Sequence, residues 1–429
     1  MIKVAGKAVF FAFGLIVAAC VGQVTAAEQG GDDGDAARPA VEVHGFYETR
    51  SGYRLQNDPH EKDMSIMEDR LQVELSSQRD WADFKVKGDF LGDMVTEEVD
   101  FDLREAYMFT MPVDVMDLKV GRQVLTWGTG DLIFINDLFP KDWQSFFIGR
   151  DVEYLKAPSD AVKVSLFSDM ANLDIVYTPQ FDPDRYISGE QISYWNSNLG
   201  SRAGSNAVVH TDKPDRWFKD DEIAARLYKN VNNYELALYG YHGYWKSPGG
   251  QNVSQTQAVF PDLNVYGASI RGAAGKGIGN AELGYYKSGE DESGTNGLVN
   301  NSEIRFLVGY TQELGKDLTG GVQYYVEHML DYGAYKDSTP SGLNRDRDRH
   351  LVTGRVTKLL MNQNLRCSVF AYFSPSDRDV YLRPVVHYKA SDNVAVEVGA
   401  NIFFGDYPDT FFGQFENDTN IYAAMRYSF

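Results

Sequence analysis

Residues 421–429 read Ile-Tyr-Ala-Ala-Met-Arg-Tyr-Ser-Phe and end on an aromatic side chain. Ile421, Ala423, Met425, Tyr427 and Phe429 fall on one face of an extended strand, because successive side chains alternate sides. A strand with one apolar face and one mixed face suits a wall that has lipid on one side and a polar lumen on the other. The expected fold is therefore all-β, a transmembrane antiparallel barrel with both termini on the periplasmic side.

The same nine residues resemble the C-terminal signal of outer-membrane proteins, whose last aromatic is read by the barrel assembly machinery. That resemblance implies an assembly role for Tyr427 and Phe429. At the other end, Lys3 and Lys7 precede an apolar run from Ala8 to Ala19 and then small residues leading to Thr25-Ala26-Ala27. This is the pattern of a secretory signal over 1–26, too short for a membrane span. Val17-Ala18-Ala19-Cys20 also resembles a lipoprotein box, which would leave Cys20 lipidated. Residues 27–40, acidic from Glu28 to Asp35, are expected to form a periplasmic tail.

Composition narrows the class. The chain is 43% hydrophobic with a mean hydropathy of −0.37. No later segment offers about eighteen uninterrupted apolar residues, so helical spans are not expected. Forty glycines, 26 tyrosines and 25 phenylalanines against two cysteines fit a β-rich wall with aromatic girdles. Without Cys20, Cys367 would be the only thiol and no intrachain disulfide could form. Net charge is −20, and loss of Lys3 and Lys7 would make it −22; nucleic acid is excluded as a partner on that ground.

Alternation bounded by turn residues gives about eighteen strands (alternatively sixteen), running approximately 41–55, 65–78, 82–92, 101–111, 118–127, 161–168, 171–178, 221–230, 233–245, 264–272, 279–288, 301–313, 318–327, 350–360, 365–374, 380–389, 394–404 and 420–429. Tight turns at 78–81, 168–171, 230–233, 361–364 and 390–393 alternate with a long set at 128–160, 179–220, 246–263, 328–349 and 405–419. Short turns belong on the periplasmic side and long loops outside. A single barrel over 41–429 follows, without a second domain.

Face assignment puts Val394, Val396 and Val398 toward lipid and Glu397 and Asn401 inward; Ile304, Phe306 and Val308 likewise alternate with Glu303 and Arg305. Charged side chains on the lipid face cost about 2–4 kcal/mol near the midplane, so the charges belong in the lumen. Near the closure of the barrel the inward arginines predominate: Arg50, Arg70, Arg355, Arg366, Arg383 and Arg426. A guanidinium stays charged and presents a fixed fork to carboxylate or phosphate. These six are expected to line a track for anionic or zwitterionic solutes, or, on a plainer reading, to form a charge-paired lining with Glu48, Glu74 and Glu397.

The most individual stretch is Gly121-Arg122-Gln123, then Trp127-Gly128, Asn136 and Pro140. Alternation fails at Arg122-Gln123, which predicts a bulge or a re-aimed side chain. This run resembles a family of poorly characterised Gram-negative outer-membrane barrels, distantly similar to alginate-export barrels. The resemblance implies a channel or export factor. Segment 128–160 carries Leu132, Ile133, Phe134, Phe146 and Phe147, which need cover, so it is expected to fold into the barrel. It would then bring Asp131, Asp137, Asp142, Asp151 and Glu153 toward the lumen as a constriction opposite the arginines. Alternatively its aromatics cap the mouth or meet lipopolysaccharide.

Catalytic and metal signals are weak. His44, His60, His210, His242, His328, His350 and His387 are scattered with no evident acid or serine partner, and no metal-ligand spacing appears. Asp182, Asp184, Asp406 and Asp409 are loop acids that could hold calcium weakly, though solvated loop charge is the better explanation. No catalytic residue, metal or cofactor is assigned. The expected role is passive diffusion of small polar, anionic or zwitterionic, solutes. The alternatives are a barrel serving polysaccharide or lipid export, a sheath for a partner cytochrome, and an outer-membrane enzyme. Expected partners are outer-membrane lipid and lipopolysaccharide, the assembly machinery, the solute, and a periplasmic protein or two further copies in a homotrimer.

Overall fold

The computed structural model describes residues 41–339 and 345–429. The expected signal segment, Cys20 and the tail lie outside the described residues. The remainder builds one closed antiparallel sheet of eighteen strands. They are β1 (Glu42–Arg54), β2 (Met64–Gln78), β3 (Asp83–Asp93), β4 (Glu98–Val113), β5 (Met116–Val124), β6 (Pro158–Leu166), β7 (Asn172–Thr178), β8 (Glu222–Val231), β9 (Tyr234–Tyr244), β10 (Asp262–Ala274), β11 (Gly277–Ser288), β12 (Glu303–Gly315), β13 (Leu318–Met329), β14 (Asp348–Leu360), β15 (Leu365–Ser374), β16 (Asp379–Lys389), β17 (Val394–Gly405) and β18 (Asn420–Ser428). Each strand pairs with its sequence neighbours, and β18 returns to β1.

The barrel closes at the C-terminal stretch, where β18 pairs with β1. Tyr47 pairs with Tyr427 and Glu48 with Arg426. Phe429 and Gly45 exchange two backbone hydrogen bonds of 3.0 and 3.1 Å. A Cβ on Gly45 would lie 2.8 Å from the Phe429 ring, so this glycine makes room for the terminal aromatic.

Turn chemistry explains the register. The β8–β9 hairpin turns on Asn232 and Asn233, both at positive φ (48° and 70°), the primed two-residue turn whose twist matches the flanking strands. Outward positions carry an apolar band that includes Leu238, Phe306, Val308, Val322 and Val398, all exposed. Exposed tyrosines flank it: Tyr53, Tyr266 and Tyr285 toward the end bearing the long loops, Tyr234, Tyr388 and Tyr427 toward the end bearing both described termini. Two aromatic girdles around an apolar band are what a lipid-facing surface requires.

Three boundaries differ from the sequence reading by three residues, one of them the start of β4 at Glu98 rather than 101. β5 stops at Val124 rather than 127, and β6 starts at Pro158 rather than 161, so the long segment between them is 125–157. Connections 55–63 and 289–302, absent from the expected long set, are long and lie at the same end as the others. In β4 a bulge sets Lys87 opposite Glu105 and Gly88 opposite Leu103, which leaves Arg104 unpaired. It lets Asp102, Arg104 and Glu105 all turn inward, a result that strict alternation forbids.

Candidate functional site: a segment pinned across the lumen

Segment 125–157 runs inside the barrel and is held by inward side chains from much of the circumference. On β11, Glu282 accepts from the backbone N–H of Thr129, from that of Gly130 at 2.8 Å, and from Asn136 Nδ2 at 3.0 Å. Gln323 of β13 both accepts from Asp131 N–H (2.7 Å) and donates to its carbonyl (2.8 Å). Tyr372 of β15 donates to Leu132 O at 2.9 Å. Across the barrel, Arg50 of β1 donates to Gly149 O at 2.7 Å, and Arg104 of β4 to Lys156 O at 2.8 Å. A segment without its own sheet must find partners for its buried peptide groups, and the charged lumen supplies them.

The middle of the segment forms a single helical turn, α1 (Trp143–Ile148). Asp142 caps it by accepting from Ser145 N–H at 2.7 Å, and Gly149 ends it at φ 98°. A Cβ on Gly149 would sit 2.5 Å from Tyr422. The turn places Phe147 against Tyr381, Phe403 and Phe415, with ring centroids 5.4, 5.4 and 4.9 Å away. Phe146, Phe147 and Ile148 are buried. Burial of such side chains stabilises by roughly 1.5–3 kcal/mol each, so apolar packing and wall hydrogen bonds hold the segment together.

The motif residues are the hinge of this arrangement. Gly121, at φ 121°, brings its backbone against β4, where a Cβ would be 2.2 Å from Ala106 O. Arg122 then clamps both neighbours, donating to Leu103 O at 2.6 Å and to Asp160 at 2.9 Å. Gln123 is fully buried, and its amide donates to Ala161 O at 3.0 Å and Gly121 O at 3.2 Å. Trp127 packs edge-on to Phe139 at 4.9 Å. Gly128, at φ 81°, lets the chain pass Glu282, and Pro140 accepts from Ala157 N–H at 3.1 Å where the segment returns to β6.

The six arginines do not share one open face. Arg50 is 1% exposed, paired with Glu48 (3.1 Å) and Glu397 (3.2 Å). Arg70 is equally buried between Glu68 (3.2 Å) and Asp89 (2.6 Å). Arg383 lies over the Phe146 ring at 4.0 Å and donates to Asn401. Arg355 binds Asp131 through two nitrogens (2.6 and 2.8 Å), and Arg426 meets Glu48 (2.8 Å), Glu153 (3.1 Å) and Asp151 (3.7 Å). Both stay partly exposed. Arg366 is exposed opposite His387 at the terminus-bearing end.

Among the segment acids, Asp131, Asp151 and Glu153 thus face wall arginines. Asp137 instead pairs with Lys141 of its own segment at 3.0 Å, and Asp142 with Arg185 of loop 179–221 at 3.4 Å. Asp184, one of the acids open to a calcium reading, accepts from Lys141 N–H, Trp143 Nε1 and Ser247 Oγ. Burial holds its pKa above the ordinary carboxylate range. One histidine does meet an acid: His328 Nδ1 is 2.6 Å from Asp348, in the outward register of β13 and β14.

Loop 179–221 covers the segment. Arg54, which continues the inward series of Arg50, reaches Asp418 at 3.1 Å and Gln191 O, while Ser193 bridges Asp58 (2.6 Å) and Asp418 (3.1 Å). Burial outweighs Arg54 and, helped by Asp58, lifts the Asp418 pKa to about 7. Arg54 was missed in the sequence although its parity places it inward. Alternation in β11 turns Glu282 inward, but its role as the dock for the segment depends on backbone N–H groups that no pattern reveals. The segment leaves two cavities at the loop-bearing end, of about 510 and 480 Å³. Toward the other end, Lys85, Lys87, Glu74 and Glu105 face the lumen with side chains partly exposed.

A family model described as "Protein of unknown function (DUF1302)" matches residues 56–348. The chain belongs to the DUF1302 family. No curated protein matches it. Among solved structures, Acinetobacter baumannii OccAB4 is similar with a TM-score of 0.57 and 9% identity, covering 92% of this chain and 100% of that one. Pseudomonas aeruginosa OccK5 (OpdH) gives 0.54 at 9% identity over 90% and 97%, and OccK11 (OpdR) of the same organism 0.51 at 9% over 90% and 94%. At such identity the likeness concerns the fold: this DUF1302 chain shares a porin-like barrel architecture with them.

Proposed function

We propose that this DUF1302 protein is a porin-like channel of the bacterial outer membrane, passing small anionic or zwitterionic solutes passively through a lumen narrowed by segment 125–157. The observation that carries the reading is a lipid-suited outer band around a charged lumen crossed by a pinned segment. The barrel architecture shared with OccAB4, OccK5 and OccK11 supports the location. On this reading the short turns and both termini face the periplasm, Tyr427 and Phe429 serve assembly, and the outer girdle meets lipid and lipopolysaccharide. Selectivity rests on the arginines and lysines that keep contact with open lumen, Arg355, Arg366, Arg426, Lys85 and Lys87, while Arg50, Arg70 and Arg383 hold the segment.

The sheath reading needs a lumen wide enough for a protein, and the pinned segment occupies that space. Export of polysaccharide or lipid has in its favour the motif resemblance to alginate-export barrels and the aromatic character of the larger cavity. Against lipid stands the charged lining beyond it, at Lys85, Lys87, Glu74 and Glu105. The test is single-channel conductance of refolded protein in planar bilayers, with reversal potentials under a salt gradient and with aspartate and glucuronate as solutes. Stepwise openings with anion preference or solute block are expected; silent bilayers, or cation preference, would contradict the reading.

A further inference from the structure

The larger cavity, about 510 Å³, sits at the loop-bearing end above the inserted segment. Its volume is within the roughly 300–1,000 Å³ usual for small-molecule sites. Aromatic side chains dominate its wall: Trp143 and Phe147 from the segment, Trp245 just past the end of β9, Tyr286 from β11, and Phe411 and Phe412 from the loop before β18. A sugar or a small zwitterion would lose water against such a wall without recovering hydrogen bonds, whereas a flat apolar body would be stabilised by it.

The polar groups beside the cavity are asymmetric. The guanidinium of Arg305 lies on Tyr286 at 4.1 Å and near Trp245 at 5.7 Å, and that of Arg349 lies on Phe411 at 4.5 Å. The acids are already engaged. Glu303 accepts from Arg305, and Glu327 accepts from Tyr325 at 2.7 Å with Arg349 and Arg305 at 3.7 and 4.0 Å. Lys141 and Lys246 are paired with Asp137 and Glu222. What is left over is donors. Among the described cavity-lining residues, the buried side-chain atoms without a hydrogen-bond partner are Trp245 Nε1 and Arg349 Nη2. Buried donors are normally satisfied, so an acceptor at these two positions would complete the lining, although Arg349 already donates through Nε to Asp377 at 2.8 Å.

We infer that this cavity is a binding site for an amphipathic anion, an aromatic or alicyclic body carrying one carboxylate, whose ring lies among Trp143, Phe147 and Phe412 and whose carboxylate meets Arg349 and Trp245. The inference rests on the channel reading, and makes the cavity the place where such a solute is held before passing the segment. Aromatic faces with guanidinium groups laid on them recognise both halves of such a molecule at once.

The test is equilibrium dialysis of 1-naphthoate against the full chain in lipid nanodiscs, with empty nanodiscs as the blank and 1-naphthalenemethanol and glucuronate as comparators. Saturable naphthoate binding at least about tenfold tighter than either comparator is expected, since a hydrogen bond to a charged group contributes about 1.5–3 kcal/mol. Arg349→Gln should weaken naphthoate by about tenfold and leave naphthalenemethanol within about twofold. Trp245→Phe, which keeps a ring and removes the donor, should weaken naphthoate by about fivefold. Binding no greater than to empty nanodiscs, equal affinity for all three probes, or unchanged naphthoate affinity in both variants would overturn the site. Conductance without any probe separates the two claims: a chain that conducts but does not bind naphthoate loses the site and keeps the channel, and one that binds but never conducts loses the channel and keeps the site.

Discussion

The two halves of the lumen are built by the same alternating strands and behave as different materials. In the loop-bearing half, Arg50, Tyr381 and Phe403 are sealed, and charges sit in closed pairs such as Arg50–Glu48 and Arg70–Asp89. In the terminus-bearing half, Lys85 and Glu74 form a pair at 2.9 Å yet keep 25% and 23% of their side chains exposed. Alternation puts a residue inside the barrel in both. Whether it becomes a buried anchor or a solvated lining depends on whether segment 125–157 lies over it. Identical chemistry therefore predicts different consequences by height.

That contrast can be broken by mutation, most severely among the anchors. Arg50→Met leaves Glu48 and Glu397 buried without their shared partner, and should cost about 3–5 kcal/mol, read as a lowered midpoint in urea unfolding from bilayers. Phe147→Ala opens a hole among Tyr381, Phe403 and Phe415 and should cost about 3–5 kcal/mol in the same assay. Glu282→Ala removes the acceptor for the Gly130 N–H and Asn136 and should cost about 1–3 kcal/mol. It should also make single-channel current noisier, because it releases one side of the segment while leaving the wall intact. In the solvated half, Lys85→Gln should cost at most about 1 kcal/mol and shift the reversal potential toward cations. A large stability loss there, or a negligible one at Arg50, would erase the distinction.

The smallest expected effect is on pH. Asp418 has a folded pKa of about 7, above its unfolded value. Between those two values the folded state binds more protons than the unfolded one, so this group's contribution favours folding at low pH and declines as pH rises toward 7. Ser193 and Arg54 tie loop 179–221 to this carboxylate. Limited proteolysis within 186–210, corrected for protease activity, should be slower at pH 5.5 than at pH 8, and Asp418→Asn should flatten that difference.

Much of the wall was legible because period-2 alternation over ten or more residues has few competing explanations. The strands expected at 365–374, 380–389 and 394–404 coincide with β15, β16 and β17 to within a residue. Where the reading slipped, a local device overrode alternation: Gly121 and Gln123 end β5 early, and the bulge at Arg104 turns Glu105 inward. Of the candidate site, the apolar burden of 128–160 announced that the segment needs cover. It could not disclose that Tyr381, Phe403 and Phe415 would cover Phe147, or that Arg383 would lie over Phe146, because parity gives the face of a side chain but not what lies opposite. Arg54, Glu282 and the donors at Trp245 and Arg349 became meaningful only once distant chain segments were brought together.

The most direct test of the pinned segment is the conductance of the intact chain beside one in which residues 131–148 are replaced by a flexible Gly/Ser linker, both refolded and recorded in the same planar bilayers. The wall contacts of Arg355, Tyr372 and Asn420 with the segment would be absent in the second chain. The account predicts stepwise openings in both, several-fold larger in the linker chain and with weaker ion preference. Equal conductance and equal selectivity in the two chains would contradict it.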